Sequence, residues 1–384
     1  MKEATDKVST FLLLVFCSLV SVGESIASDS GIYLSMGTSV AAGFLPRPAC
    51  VLDPTNPAIN PPCDVLFDLP TDRSPADRLV ALLANDDGVE LELVKLGCGG
   101  ETTAQMIDGD GSACYSEQSG SQLEVAESLL RDYGDRVRLV TIDIGVNDVL
   151  DCIDLSGGNL VIDESCLFSA GGAVKQVTAN LGEILDRLKL AASEGTQIVG
   201  MNYFNPFLAA YVLIPVDGPA IADYSRELVS YFNHDVLEPV YQGYGVAVAD
   251  VSAAFRAGSI GDIDFPAFGG WVPMDVAAVC QLTNMCGLNR GVIGDIHPNP
   301  VGYGLIAAAF AETLRGGNSI PSPIVGDIDG DRQVLGTDFL VLLSDLGSEA
   351  FDVRFTPQMD LDDDGFVTRL DLRLFLQAYR DARE

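Results

Sequence analysis

The chain has only two histidines and one tryptophan among its 384 residues, and its 22 Lys and Arg are outnumbered by 55 Asp and Glu. Each shortage excludes something. At a formal net charge of −33 there is no Lys/Arg cluster to neutralise phosphates, so nucleic acid is excluded as a partner. The longest leading apolar stretch, Phe11 to Val22, is too short for a comfortable membrane span. If the chain works by acid/base chemistry near neutral pH, the scarcity of histidine leaves very few groups to carry the proton. What is plentiful is apolar: 48% hydrophobic residues exclude a mostly disordered protein and suffice for one sizeable core plus a small appendage. The acidity reads as solubility and suits extracellular surroundings.

Lys2 and Lys7 precede the apolar stretch, and small residues Ser25, Ala27 and Ser28 follow it. This is a secretory signal pattern over residues 1–28, and secretion is expected. Glu3 and Asp6 weaken the positive leader, so an uncleaved anchor is the alternative; Phe16 before Cys17 fits a lipoprotein cleavage site poorly. Of nine cysteines, Cys17 departs with the signal, leaving Cys50, Cys63, Cys98, Cys114, Cys152, Cys166, Cys280 and Cys286. An even set in a secreted chain indicates disulfides. Because they fall as local pairs in loop-like segments, neighbours are expected to pair in that order. The alternatives are buried thiols, or a zinc site from Cys280, Cys286 and His297 for which no fourth ligand is evident.

Short aliphatic runs at Ile32 to Met36, Val89 to Leu96, Arg138 to Ile144, Gln197 to Tyr203 and Val246 to Val251 read as buried strands. Between them, apolar residues recur at three- and four-residue spacing over Ser74 to Ala84, Gln122 to Tyr133, Ala173 to Ala192 and Ala220 to Leu237, which predicts helices. Such alternation implies an α/β fold with a mainly parallel sheet covered on both faces, and a site at the carboxyl ends of its strands. A last helix is expected over about Pro300 to Leu314. The main domain thus spans 29–315, a Gly- and Pro-bearing linker 316–325, and a second unit 326–384.

A serine hydroxyl is a weak nucleophile until a base takes its proton, so a working site needs a serine, a histidine, a group to orient the histidine and donors for the oxyanion. Ser39 follows the first strand in Gly37-Thr38-Ser39 and should open a helix, whose N–H groups favour negative charge. Gly100 follows the second strand, where it can offer its N–H without a side chain in the way. Asn147 follows the third and offers an amide donor. His297 lies in Gly294-Asp295-Ile296-His297-Pro298-Asn299-Pro300. The other histidine, His234, sits in the helix predicted over Ala220 to Leu237, without a glycine-bearing loop, and reads as structural or exposed.

Ser39, Gly100, Asn147 and His297 resemble the four blocks of the SGNH, or GDSL-like, hydrolase family over about Gly31 to Leu314. The resemblance implies a three-layer α/β/α fold of flavodoxin-like type and hydrolysis of carboxylic esters without a catalytic cofactor. It implies Ser39 as nucleophile and oxyanion donor, Gly100 and Asn147 as further donors, and His297 as base. Two departures stand out. Thr38 replaces the usual Asp of Gly-Asp-Ser, which should alter loop hydrogen bonding more than chemistry. The acid normally three residues before the histidine falls on Gly294, whereas Asp295 lies two before. Residues two apart in extended backbone share a face, so either Asp295 or a main-chain carbonyl orients His297. The apolar segment Met201 to Tyr211 suits either an acyl chain or core packing, and the Pro-rich stretch from Pro46 to Pro70 would suit a wall beside Ser39.

Beyond the linker the chain repeats: Asp327, Asp329, Asp331 and Asp338 recur 33 residues on as Asp360, Asp362, Asp364 and Asp371. Carboxylates at positions one, three, five and twelve, with backbone carbonyls at seven from Gln333 and Phe366, match the spacing that wraps Ca2+. The second loop has Gly365 at position six, where the first has Arg332, so the first should bind more weakly. Amphipathic segments Phe339 to Leu346 and Leu372 to Tyr379 follow the two loops. This small α-helical, EF-hand-type unit resembles a dockerin module, which implies structural calcium and a cohesin domain as partner. The whole reads as a secreted serine esterase, expected as a monomer, acting on lipid or short-chain acyl esters. Polysaccharide deacetylation is an alternative, and a non-catalytic binding protein retaining the fold is another.

Overall fold

The computed structural model describes residues 31–48, 66–69, 71–116, 119–154, 161–259, 261–287 and 294–316, and in the C-terminal unit residues 334, 339, 342, 346–347, 361 and 367–381. The expected signal, the linker and the Cys50/Cys63 pair lie outside the described residues, as does most of the Pro46 to Pro70 stretch.

Five strands form the central sheet: β1 (Gly31–Gly37), β2 (Leu91–Lys95), β3 (Val137–Asp143), β4 (Gln197–Met201) and β5 (Ala247–Ala249). Their order is β2-β1-β3-β4-β5 and every pairing is parallel. This is the flavodoxin-like doubly wound order, in which the chain reverses direction between β1 and β3 and leaves a crevice at the carboxyl edge. The main helices are α1 (Ser39–Ala42), α2 (Pro75–Asp87), α3 (Thr103–Asp108), α4 (Gln122–Tyr133), α5 (Val146–Leu150), α6 (Ala173–Ala191), α7 (Gly218–Tyr231), α8 (Met274–Leu282) and α9 (Pro300–Leu314). Three of them start on capping boxes, Ser74 with Asp77, Thr102 with Gln105, and Ser121 with Glu124, which satisfy otherwise orphaned N–H groups.

Side chains alternate across the sheet and so sort the helices into two layers. Tyr33, Ser35, Thr141 and Asp143 share a face with Ala76 of α2 and Phe310 of α9. On the opposite face Gly200 lies against the Tyr241 ring, where a Cβ would come within 2.3 Å. Tyr241 belongs to a short helix packed on α6, which also meets α4. Ile32, Leu34, Val140 and Ile142 are buried in the same core, each contributing about 1.5–3 kcal/mol of hydrophobic stabilisation.

The predicted helix Ala220 to Leu237 is in fact α7 followed by a π-helical turn, Phe232–Leu237. The irregular turn points Asn233 inward, where it bonds both the N–H and the carbonyl of Tyr203 at 2.9 and 2.8 Å. Between β5 and α9 the chain inserts a hairpin, Asp262–Phe265 with Gly270–Pro273, and α8. Their apolar residues form a second cluster around Phe265, Val272, Val276 and Val279.

Three of the expected disulfides are present: Cys98–Cys114, Cys152–Cys166 and Cys280–Cys286. The last rules out the zinc alternative, because its two sulfurs are joined to each other. No helix among the described residues is long and apolar enough to cross a membrane.

In the C-terminal unit, helix α10 (Arg369–Asp381) covers the segment predicted from Leu372 to Tyr379. Val334, Leu342, Val367 and Phe375 are buried together, with Phe339 and Leu372 at their margin. Val334 and Val367, Phe339 and Leu372, and Leu342 and Phe375 are each separated by the repeat length, so equivalent residues of the two halves share one core.

Candidate active site

β1 delivers its chain to a sharp turn, Gly37-Thr38-Ser39. Gly37 has φ +135°, and a Cβ there would overlap the Asp143 carboxylate at 1.7 Å, so the position accepts only glycine. Thr38 caps α1, its hydroxyl accepting from Val40 N–H at 3.3 Å. It also donates that hydroxyl to Asp143 Oδ2 at 2.7 Å and its N–H to Oδ1 at 3.0 Å. Thr38 thus bonds both α1 and the end of β3. Gln122, at the start of α4, accepts Gly37 N–H at 2.6 Å and returns a bond to Gly37 carbonyl at 3.1 Å.

The loop after β2 lies directly on this turn. Cys98 N–H donates to the Gly37 carbonyl at 3.0 Å, and a Cβ on Gly97 would meet Ala41. Gly100 has φ +77° with open space around it, so its backbone conformation rather than crowding favours glycine there. Asn147, in the first turn of α5, donates one amide hydrogen to the Glu101 carbonyl at 2.9 Å. An amide nitrogen carries two hydrogens, which leaves a second for a ligand. Asp148 beside it accepts from Thr103 N–H and Oγ1 at 2.9 and 2.6 Å, tying the two loops together.

His297 arrives from the opposite end of the sequence. Its Nδ1 lies 2.7 Å from Asp295 Oδ1, and its main-chain N–H donates to the same oxygen at 2.9 Å. Of the two sequence alternatives, the carboxylate rather than a main-chain carbonyl is thus paired with the ring. Burial pushes the Asp295 carboxyl up, but the bonds and charge of His297, aided by Asn284, prevail and hold its pKa below the usual carboxylate value. The loop closed by Cys280–Cys286 frames the histidine: Asn284 N–H donates to the His297 carbonyl at 3.0 Å, Asn299 N–H to Leu282 carbonyl at 2.9 Å, and Gly294 N–H to Met285 carbonyl at 2.8 Å.

Phe44 connects the two ends of the site. Its N–H donates to the Ser39 carbonyl at 3.0 Å, its ring stacks on His297 at 5.7 Å between centroids, and the same ring rests against Gly99. Tyr303 of α9 fixes it from behind through its hydroxyl, 2.7 Å from the Phe44 carbonyl. Ser39, Gly100, Asn147, Asp295 and His297 therefore gather at the carboxyl edge of the sheet. His234 does not join them; its side chain is 55% exposed and paired with Glu238.

Most of the apolar segment after β4 is core, with Phe207 and Tyr211 half-buried. Tyr203, Phe204, Leu208 and Ala209 are buried, and Phe204 stacks on Phe255 at 4.4 Å, so these side chains do not line an acyl groove. Sequence reasoning passed over Asp143, Gln122 and Glu101. Asp143 ends a run of aliphatic residues, and a carboxylate there is itself a signal; Gln122 and Glu101 carried none. Burial raises the Glu101 pKa, and its Oε2 accepts from Ser112 Oγ at 2.6 Å.

Of the residues expected to form calcium loops only Asp371 is described; Asp327, Asp329, Asp331, Gln333, Asp338, Asp360, Asp362, Asp364 and Phe366 lie outside the described residues. Among the described residues no group of His, Cys, Asp and Glu is disposed to hold a metal. Asp371 is fully buried, and its carboxylate accepts from Leu361 N–H at 2.7 Å and Thr368 N–H at 2.6 Å. Position twelve thus reaches back into its own loop, at positions two and nine.

The GDSL-like Lipase/Acylhydrolase family matches residues 37–305. No curated protein matches the chain in sequence. Among solved structures, an extracellular lipase from Streptomyces rimosus is 16% identical over 75% of this chain and 100% of its own, with a TM-score of 0.44. A variant of an acetyl xylan esterase from Geobacillus stearothermophilus is 14% identical over 75% and 96%, with a TM-score of 0.40. A phospholipase A1 from Streptomyces albidoflavus NA297 is 16% identical over 75% and 99%, with a TM-score of 0.39.

Proposed function

The chain belongs to the GDSL-like lipase/acylhydrolase family and is a carboxylic ester hydrolase; from that premise we propose that Ser39 is its nucleophile, His297 its base and Asp295 the acid that orients the base. The observation that carries the reading is the Asp295–His297 pair at 2.7 Å, stacked on a ring whose own backbone is bonded to Ser39. With Nδ1 engaged by a carboxylate, Nε2 is the nitrogen that takes the Ser39 proton as the hydroxyl attacks the acyl carbon. The oxyanion that forms is met by the N–H groups of Ser39 and Gly100 and by the second amide hydrogen of Asn147. His297 then passes the proton to the departing alkoxide. Water repeats the sequence on the acyl-enzyme and frees the acid.

Short acyl esters are the favoured substrates. Tyr203, Phe204, Leu208 and Ala209, which could have cradled a long chain, are packed in the core, and beside His297 stands the stacked Phe44 ring. Hydrolysis of p-nitrophenyl acetate should exceed that of the octanoate by at least about tenfold in kcat/KM, and Ser39→Ala should abolish both. Equal or faster hydrolysis of the octanoate would reverse the substrate reading; activity retained in Ser39→Ala would remove Ser39.

A second reading, deacetylation of a polysaccharide, is supported by the C-terminal unit, whose halves repeat in packing as well as in sequence. We assign it to the dockerin-like class, with Asp360, Asp362, Asp364, Asp371 and the Phe366 carbonyl as the stronger calcium loop and Asp327, Asp329, Asp331, Asp338 and the Gln333 carbonyl as the weaker. The all-oxygen donor set fits a hard cation, and calcium would supply structural cross-linking rather than chemistry. A cohesin-type partner and export through residues 1–28 complete the proposal; three disulfides support export, because they persist in oxidising compartments. Release of acetate from acetylated xylan tests the carbohydrate reading.

A further inference from the structure

Resting on the assignment of Ser39 above, we infer that Asp143 is the positioning residue of the nucleophile turn, a carboxylate reaching across from the neighbouring strand. Asp143 ends β3 directly opposite Gly37 in the sheet register and is 3% exposed. One of its oxygens takes the N–H of Thr38 and the other takes the Thr38 hydroxyl; the N–H of Ala41 turns toward the same carboxylate. Donors on both sides of Ser39 therefore converge on one side chain. They fix the peptide between Gly37 and Thr38 and the Thr38 side chain, and through this turn the direction in which the next residue, Ser39, presents its N–H and side chain.

Beneath the turn lies a small cavity, lined by Tyr33, Ser35, Val40, Ala41, Thr141 and Asp143, so packing is incomplete on that side and the Asp143 bonds hold Thr38 while Gln122 and Cys98 hold Gly37. The side-chain volume that residue 37 would claim is filled by the carboxylate itself. In a chain with threonine at position 38, the acid that steadies the turn is thus supplied by another strand.

Exchanging the two residues tests this. Thr38→Asp sets two carboxylates against each other, and Asp143→Thr leaves the Thr38 and Ala41 donors without a carboxylate. The double variant Thr38→Asp/Asp143→Thr restores the pair with its members reversed, since aspartate caps a helix as well as threonine does. With p-nitrophenyl acetate, each single variant should lose about a hundredfold in kcat with KM little changed, the size expected of a nucleophile displaced by about 1 Å. The double variant should return to within about tenfold of the parent, a rescue that independent structural damage would not give. Losses that add in the double, or single variants equal to the parent, overturn the inference. If a single variant fails to fold, the double still decides: folded by circular dichroism yet as impaired as the other single, it refutes the exchange. A parent that hydrolyses no ester, or an active Ser39→Ala, overturns the nucleophile and this role together. An active parent with an inactive Ser39→Ala and unmoved Asp143 variants overturns this role alone.

Discussion

Asp295→Asn and Asp295→Ala separate what this carboxylate does by shape from what it does by charge. A single oxygen, Oδ1, accepts from both the His297 main-chain N–H and Nδ1, at 2.9 and 2.7 Å. An asparagine with its carbonyl oxygen at that place accepts both, so the ring keeps its orientation and tautomer and only the charge is lost. Alanine removes orientation and charge together. A hydrogen bond to a charged group contributes about 1.5–3 kcal/mol against about 1 for a neutral pair. The asparagine variant should therefore lose about 1–2 kcal/mol of transition-state stabilisation, or roughly five- to thirtyfold in kcat. The alanine variant should lose about 10³–10⁴-fold, the scale seen when a catalytic imidazole is left in the wrong tautomer. The assay is hydrolysis of p-nitrophenyl acetate at saturating substrate, with folding checked by thermal melts. An alanine variant within about tenfold of the parent would hand the orienting role back to a main-chain carbonyl. An asparagine variant as impaired as alanine would refute the division into shape and charge.

Burial pushes the Asp143 carboxyl up to about 7 against its donors. The folded state then holds a proton that the unfolded state releases, so this group lowers stability as pH rises from about 4 to 7. The hydroxyls of Tyr33, Tyr203 and Tyr241, which feel its charge, are all raised by burial and neutral in that window. Asp143→Asn should make urea midpoints flatter across it; an unchanged slope would refute the shift. Asp295 has the opposite sign: its depressed pKa contributes stability above the unfolded value near 3.9 that is lost as pH falls through the folded one, so Asp295→Ala should blunt acid unfolding at the low end. Removing the Cys280–Cys286 bond by a double serine substitution should lower kcat by about tenfold or more by loosening the frame of His297, with the circular dichroism spectrum retained; unchanged kcat would show that the loop holds without its bond. Adding Ca2+ to the chelated protein should release heat and increase helicity, both reduced by Asp371→Ala. No heat would end the calcium assignment.

Strand positions were legible because β1, β3 and β4 lie in the middle of a parallel sheet and must be aliphatic on both faces. The longer helices on the sheet declared themselves by apolar spacing, whereas α3 and α8 did not. The Ser39, Gly100, Asn147 and His297 blocks were legible for a related reason: each follows a strand at the one edge where loops meet. The π turn at Phe232–Leu237 was not, because its cause is the unpaired backbone of Tyr203, which only the folded neighbour reveals. The Met201 to Tyr211 segment was ambiguous for the converse reason, since apolar residues lining a groove and filling a core have the same composition. Asp143 escaped because its value lies in two donors 105 positions away.

The packing of α9 across α2 has a consequence for how the enzyme comes into being. Arg315 closes on Asp86 and Asp87, 228 residues earlier in the chain, at 3.0 and 2.6 Å, and only then is the sheet covered on that side. Such distant closure makes folding slow and leaves the growing chain without a complete core until its last helix emerges. Ser39 is made first and His297 last. On the proposed assignment, a nascent or prematurely cut chain carries a serine that nothing activates, and hydrolytic power appears only when synthesis of the domain is finished.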